Sequence, residues 1–419
     1  MISSLKSSVC ILVITPFYAP DFGPSTPVFT AMCEDLVRMG YDLTVTTTFP
    51  HYGNANIVFK YPKKYYFEEN INGVRVIRTY IYHVYKKAIW RRLLYHASIN
   101  LFTAYAVLKA GRTDLVISDS PFIWTALPLL IKAIFTRKPY IYVVHDIYPD
   151  VLLKLNITHN RLVIGLVDWI EKFFYNHSIQ ISVLSNGFKK NLMDKGIPEE
   201  KISVIPICVD VDFVNPDVSK EELSREWGVE GKFVVLYSGN IGLSQALDNV
   251  VNAAMHLVKY TDIVFAIVGE GASKKDLENF IKKNGVTNVL LRSYLKPDRI
   301  PEVYSLADVS LVSLRSEIVD ESVPSKTYTI MASGRPMIAT VDSDSEVGRL
   351  INEAQCGLLV EPENPIALAD AILKLYNSLE SRSQLGKSGR DYAVLHHATI
   401  VAAKQYSEII QNHLKKQNK

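Results

Sequence analysis

The sequence predicts an α/β protein built from two doubly wound parallel-sheet domains. Short, wholly apolar runs recur along the chain; a strand that is apolar at every position is buried on both faces, as in a parallel sheet. Stretches with helical spacing alternate with those runs, which is the βαβ pattern. The alternation stops at residues 206–216, a non-periodic segment bounded by two prolines, and then restarts. Domains are therefore expected over 1–206 and 207–391, with a cleft between them as the natural site.

In the first half, residues 9–14 (VCILVI) form the opening strand. A loop over 15–27 follows and carries Gly23. Helical spacing over 30–39 ends at Gly40, and 42–48 is the second strand. Residues 74–79 read as a strand and 85–108 as a long helix with Lys86, Lys87, Arg91 and Arg92 beside Trp90 and Tyr95. Strands at 115–118 and 140–144, a helix at 161–176 and strands at 179–184 and 202–205 complete this half. In the second half, a strand over 233–237 leads into a glycine-bearing loop over 238–243, then a helix at 247–258. A strand at 263–268 meets the turn Gly269-Glu270-Gly271. Helix 277–283, strand 289–291, helix 300–306 and strand 309–313 follow, and helices cover 366–375 and 392–413.

The 419 residues are 48% hydrophobic and 21% charged, a globular composition. Four scattered cysteines without C-x-x-C spacing indicate free thiols and a reducing compartment, so a cytoplasmic location is expected. Charge is uneven. Residues 1–200 hold 22 Lys and Arg against 15 Asp and Glu, and residues 201–419 hold 24 against 28. A basic first half suits an anionic partner such as a lipid surface or a phosphate-bearing acceptor. Nucleic acid is not expected, because no stacking motif accompanies the charge. The longest apolar stretch, 121–135, is broken by Pro128 and Lys132 and is too short to span a bilayer. The basic, aromatic start of helix 85–108 suits peripheral docking on an anionic membrane; a solvated helix face would show the same pattern.

The segment 312–340 carries the most chemistry. It reads as a strand end, an acidic loop (Glu317, Asp320, Glu321), a helix capped by Ser325, and a strand restarting after Gly334-Arg335-Pro336. A helix N-terminus at the carboxyl end of a strand suits a phosphate. An acid beside it suits a sugar hydroxyl. The pair points to a nucleotide-sugar site. Gly239-Asn240-Ile241-Gly242 precedes a helix and can cradle a diphosphate with backbone N–H groups, but it is not the full dinucleotide fingerprint, so hydride transfer is not favoured. Asp210-Val-Asp212 and Asp342-Ser-Asp344 could hold a divalent cation. Helix dipoles and cations can neutralise a leaving diphosphate without one, so neither a metal nor a cofactor is expected.

The order of motifs resembles the retaining glycosyltransferases of family four, which have two facing Rossmann domains, the GT-B fold. The resemblance rests on the loop with Gly23, His145-Asp146-Ile147-Tyr148-Pro149, residues 202–210, Tyr237-Ser-Gly-Asn-Ile-Gly242, Val268-Gly-Glu-Gly271, Glu321-Ser-Val-Pro324 and Met331-Ala-Ser-Gly-Arg-Pro336. It is nearest to bacterial enzymes of surface-polysaccharide assembly, of the O-antigen N-acetyl-fucosamine transferase kind. It implies that Glu321 and His145 act at the donor sugar and that Asp146 orients its loop. It implies phosphate contact at Gly23, Gly239 and Gly242, donor contact around Gly269 and Glu270, and the base along the backbone of Tyr294 and Leu295. The family's second glutamate falls at Thr329, and its diphosphate-binding arginine and lysine fall at Asn240 and Gln245. Lys326, beside Ser325, could supply the missing positive charge. The resemblance further implies a last helix that crosses back to the first domain. The expected activity is transfer, with retained configuration, from a UDP-sugar or GDP-sugar to a polyprenyl-diphosphate-linked glycan at the inner face of the cytoplasmic membrane. Two alternatives stand beside it: a catalytically degenerate subunit that binds a nucleotide or partner, and a nucleotide-sugar epimerase.

Overall fold

A computed structural model describes residues 8–21, 26–51, 61, 64–82, 89–154, 157–316 and 323–417. The chain divides into two compact units: residues 1–206 together with 399–419, and residues 207–398.

In the first unit the strands are β1 (Cys10–Ile14), β2 (Asp42–Thr48), β3 (Tyr66–Ile71), β4 (Val74–Thr79), β5 (Leu115–Asp119), β6 (Tyr140–Val144), β7 (Gln180–Val183) and β8 (Ile202–Val204). The sheet order is β3-β4-β2-β1-β5-β6-β7-β8. All its neighbours are parallel except β3 and β4, which pair antiparallel as a hairpin through Asn72 and Gly73. The sheet is therefore mixed, where apolar runs alone predict a parallel one. β3 (YFEENI) carries charge and sits at the edge, where it needs no second apolar face.

The helices of this unit are α1 (Thr26–Arg38), α2 (Ile89–Lys109), α3 (Phe122–Leu129, running on into a π-helical turn, Leu130–Phe135), α4 (Asp150–Lys154), α5 (Arg161–His177) and α6 (Asn186–Asp194). Leu12 and Ile14 of β1 share one core with Ala106 and Val107 of α2, Leu129 of α3 and Phe174 of α5. Those three helices thus cover the same face of the sheet. α1 packs instead against the chain's last helix, Thr399–Gln417, where the Tyr41 and Ser407 hydroxyls meet at 2.7 Å.

The second unit has α7 (Glu221–Trp227), β9 (Phe233–Ser238), α8 (Leu247–His256), β10 (Ile263–Val268), α9 (Lys274–Lys283), β11 (Val289–Arg292), α10 (Ile300–Ser305), β12 (Val309–Ser313), α11 (Ser325–Ala332), β13 (Met337–Thr340), α12 (Glu346–Ala354), β14 (Gly357–Val360), α13 (Pro365–Tyr376) and α14 (Leu379–His396). Its strands run parallel in the order β11-β10-β9-β12-β13-β14. Val234 and Leu236 face one core, and Phe233, Val235 and Tyr237 face the other. Both faces are covered, which is why β9 is hydrophobic from Phe233 to Tyr237.

The expected single helix over 392–413 is two. α14 ends at His396, and α15 (Thr399–Gln417) begins where the chain passes from the second unit to the first. His397 and Ala398 between them are buried.

Candidate active site

In an open α/β sheet, ligands bind where neighbouring strands send their connections to opposite faces. In the second unit β9 lies between β10 and β12, so the loops after β9 and β12 diverge there. Those loops begin at Gly239 and lead to α11.

The Gly239–Gly242 loop is locked to the turn after β10. Gly239 N–H donates to Val268 O at 2.9 Å, Ile241 N–H to Glu270 O at 2.8 Å, and Ser273 N–H to Ile241 O at 3.0 Å. A Cβ on Gly269 would stand 1.9 Å from the Gly239 carbonyl oxygen, and one on Gly271 would stand 2.2 Å from that of Ile241. Only glycine permits this approach of backbone to backbone. The Tyr237 hydroxyl donates to Asn240 O at 2.7 Å and holds the loop from beneath. The Lys326 ammonium, in the first turn of α11, lies 4.1 Å from the Tyr237 ring centroid. A fixed cation therefore sits beside a glycine loop at the start of a helix, an arrangement suited to a diphosphate.

Asn240 and Gln245 turn inward on the loop itself. Gln245 Oε1 accepts from Gly242 N–H at 3.0 Å and from Asn240 Nδ2 at 3.4 Å. Two neutral amides thus shape the loop at the positions where the resemblance has cations. Arg315, just after β12, is a brace: its guanidinium donates to Leu243 O at 2.7 Å and meets Asp248 at 2.8 Å and Glu363 at 2.6 Å. Glu270 is exposed and ion-paired with Lys274 at 2.7 Å, which holds its carboxyl below the usual range, chiefly through the Lys274 hydrogen bond. Tyr294 and Leu295 follow β11; Tyr294 is exposed.

Ser325 is not the cap. Pro324 holds the N-cap position and makes no side-chain cap hydrogen bond; Ser325 is the first helical residue and is exposed. A proline there leaves the first-turn N–H groups uncapped by a hydroxyl. The Thr329 hydroxyl donates back to Ser325 O at 3.4 Å, the ordinary back-bond of a helical threonine. Gly23, Lys86, Lys87, Glu317, Asp320 and Glu321 lie outside the described residues. Asp210 builds a turn, accepting from the N–H groups of Asp212 at 3.1 Å and Phe213 at 2.9 Å. Among the described residues no group of three His, Cys, Asp or Glu side chains is placed to hold a metal ion.

The first unit has its own divergence point, where β1 lies between β2 and β5. Asp119, the last residue of β5, is buried there and accepts from Thr15 Oγ1 at 3.1 Å. His145, directly after β6, brings Nε2 to 3.4 Å from Asp119 Oδ1. Its backbone N–H donates to Ser120 Oγ at 3.1 Å, and its ring lies 5.8 Å from Phe29. Burial pushes the imidazole down to about 4, so it is neutral near pH 7. Asp146, next along the chain, is exposed. Thr15, Asp119, Tyr237 and Arg315 escape sequence reasoning, since each stands at a strand end where polar residues are commonplace.

A family model described as "Glycosyl transferases group 1" matches residues 219–392, and one described as "Glycosyltransferase Family 4" matches residues 27–213. The chain belongs to the group 1 glycosyltransferases. The putative colanic acid biosynthesis glycosyl transferase WcaI of Escherichia coli is 25% identical over 371 residues, which cover 86% of this glycosyltransferase and 91% of WcaI. Sucrose-phosphate synthase from Thermosynechococcus elongatus superposes with a TM-score of 0.71 at 17% identity, covering 97% of this chain and 100% of that one. HepE of Anabaena, solved in complex with UDP, superposes at 0.67 with 15% identity and the same coverage. These likenesses establish that the glycosyltransferase has the GT-B fold.

Proposed function

We propose that this glycosyltransferase moves a sugar from a nucleoside diphosphate sugar, a UDP-sugar first among them, to a hydroxyl of a polyprenyl-diphosphate-linked glycan. The reaction retains configuration and serves surface-polysaccharide synthesis. The observation that carries the reading is Lys326 held on the Tyr237 ring beside the interlocked Gly239–Gly242 and Gly269–Gly271 turns. As the glycosidic bond breaks, negative charge grows on the leaving diphosphate. Lys326 and the first turn of α11 are positioned in advance to meet it, beside a loop whose own hydrogen bonds hold it rigid. Glu321 and the neutral His145 place the sugar. HepE binding UDP and WcaI's role in colanic acid biosynthesis support the donor and the pathway class. A lipid-borne acceptor requires the enzyme to work at a membrane surface.

Titration calorimetry of UDP, GDP and ADP against the whole chain without added metal tests the donor. Selective UDP binding is expected. Selective GDP binding would move the donor to GDP-sugars, and binding of none of the three would overturn the donor site.

A further inference from the structure

Large apolar side chains are exposed along one helical layer of the first unit. α2 presents Leu94, Leu101, Tyr105 and Leu108 at helical spacing, with Leu101 61% and Leu108 64% exposed. α5 presents Leu162, Leu166 and Trp169 in the same manner, at 84%, 58% and 65%. Phe135, at the end of the π-helical turn that continues α3, is 75% exposed. All three helices cover the sheet face that holds Leu12 and Ile14, so their outer sides share one layer. On the opposite layer, the only exposed large apolar side chain among the described residues of α1 and α15 is Ile400.

Cations predominate in this layer. α2 contains no carboxylate, and none occurs between Asp119 and Asp146, a stretch that includes all of α3. Arg91 and Arg92 stand near one end of α2, and Lys109 closes the other. Lys132, Arg137 and Lys138 surround Phe135 in sequence. A cavity of about 300 Å³ beside them is lined by Arg137, Lys138, His177 and His413 with no carboxylate among its lining residues. The nearby acids are neutralised or buried: Asp114 pairs with Arg112 at 3.1 Å, Asp168 with Lys172 at 2.9 Å, and Glu171 is buried.

We propose that the outer side of α2, α3 and α5 is a docking face for an anionic lipid bilayer. Apolar side chains enter the headgroup–acyl boundary and the cations meet lipid phosphates. A second copy is the poorer occupant, because two faces that each carry an excess of cations repel each other. No described helix is long and apolar enough to cross a membrane, so the contact is peripheral. The proposal names the surface required by the reading of a lipid-borne acceptor.

The test is flotation of the full chain with vesicles of phosphatidylcholine alone or mixed with phosphatidylglycerol. The wild-type chain should float with the mixed vesicles only. Leu101→Glu with Leu166→Glu should abolish flotation, and Arg91→Glu with Arg92→Glu should weaken it about tenfold or more. All four positions are exposed or half-buried, so the variants should fold, and UDP calorimetry on the same samples checks this. Wild-type protein that stays unbound, or paired variants that float normally, would overturn the docking face while leaving the donor site intact. Concentration-dependent self-association abolished by the same variants would overturn it in favour of a second copy. Flotation without UDP binding would overturn the donor site alone.

Discussion

The Lys326 ammonium stands 4.1 Å from the centroid of the Tyr237 ring, joining the first turn of α11 to the end of β9. A cation held on an aromatic face keeps its charge and gives up little freedom when an anion arrives. Lys326→Ala should therefore weaken UDP binding by about tenfold to a hundredfold, the range of one charge-assisted contact. Thermal stability should fall only modestly, since one cation–π contact between a half-buried lysine and a buried ring contributes about 1–2 kcal/mol. Unchanged UDP affinity in calorimetry would remove Lys326 from the site.

The approach of Gly269 to the Gly239 carbonyl makes a second prediction. Gly269→Ala puts a methyl 1.9 Å from that oxygen, so one turn must move. The expected cost is about 1–3 kcal/mol, with weaker UDP binding because the displaced Gly239 turn lies beside Lys326. Gly165→Ala is the control. It lies exposed in α5 with nothing within 4 Å of the added methyl, and alanine should stabilise that helix by up to about 1 kcal/mol. Equal melting temperatures for the two variants would refute the interlock.

What the sequence made legible follows from burial. Strands enclosed on both faces, such as β9 and β10, read as unbroken apolar runs, so their parallel pairing was visible. The β3–β4 hairpin was not, because an edge strand such as YFEENI lacks that run. The division of the last helix at His397 and Ala398 was hidden for a different reason. Both residues are compatible with a helix, and only packing of one segment on each unit separates α14 from α15. The Ser325 cap failed because Pro324 takes the N-cap position itself. At the site, glycines signalled the loops. The partners that fix them, Tyr237 and Arg315, are recognised only once β9 and β12 lie side by side.

Asp119 and His145 make the third prediction. The ring is neutral near pH 7 and its Nε2 lies 3.4 Å from Asp119 Oδ1, with Thr15 holding the other carboxylate oxygen. If His145 places the donor sugar, His145→Ala should lower kcat about a hundredfold or more while UDP affinity stays within about twofold. Asp119→Asn can still accept from Thr15 but alters the group that faces the ring. A smaller loss, about tenfold, is expected, with its effect in kcat rather than KM. A wild-type kcat for His145→Ala would confine the histidine to the core.

The last prediction concerns Glu171 of α5, which packs with its carboxyl buried near Tyr142 and Tyr175. Burial pushes this carboxyl up to about 8 from 4.5, outweighing the neighbouring polar groups that lower it. Between those values the folded chain holds a proton that the unfolded chain releases. Its contribution to stability is therefore full below the ordinary carboxylate range and is lost as pH rises through about 8, at up to about 1.4 kcal/mol per pH unit. His145 and His397, both pushed down to about 4, act in the other sense, favouring the fold as pH rises from about 4 to about 6.5. Above about 6.5 the histidines no longer contribute a slope, and the decline belongs to Glu171. Glu171→Gln keeps the shape and removes the titration. Denaturant unfolding at several pH values should give a flatter curve for the variant between pH 6.5 and 8, and greater stability than wild type above that window. Parallel curves for the two proteins would show that Glu171 is already ionised in the folded chain.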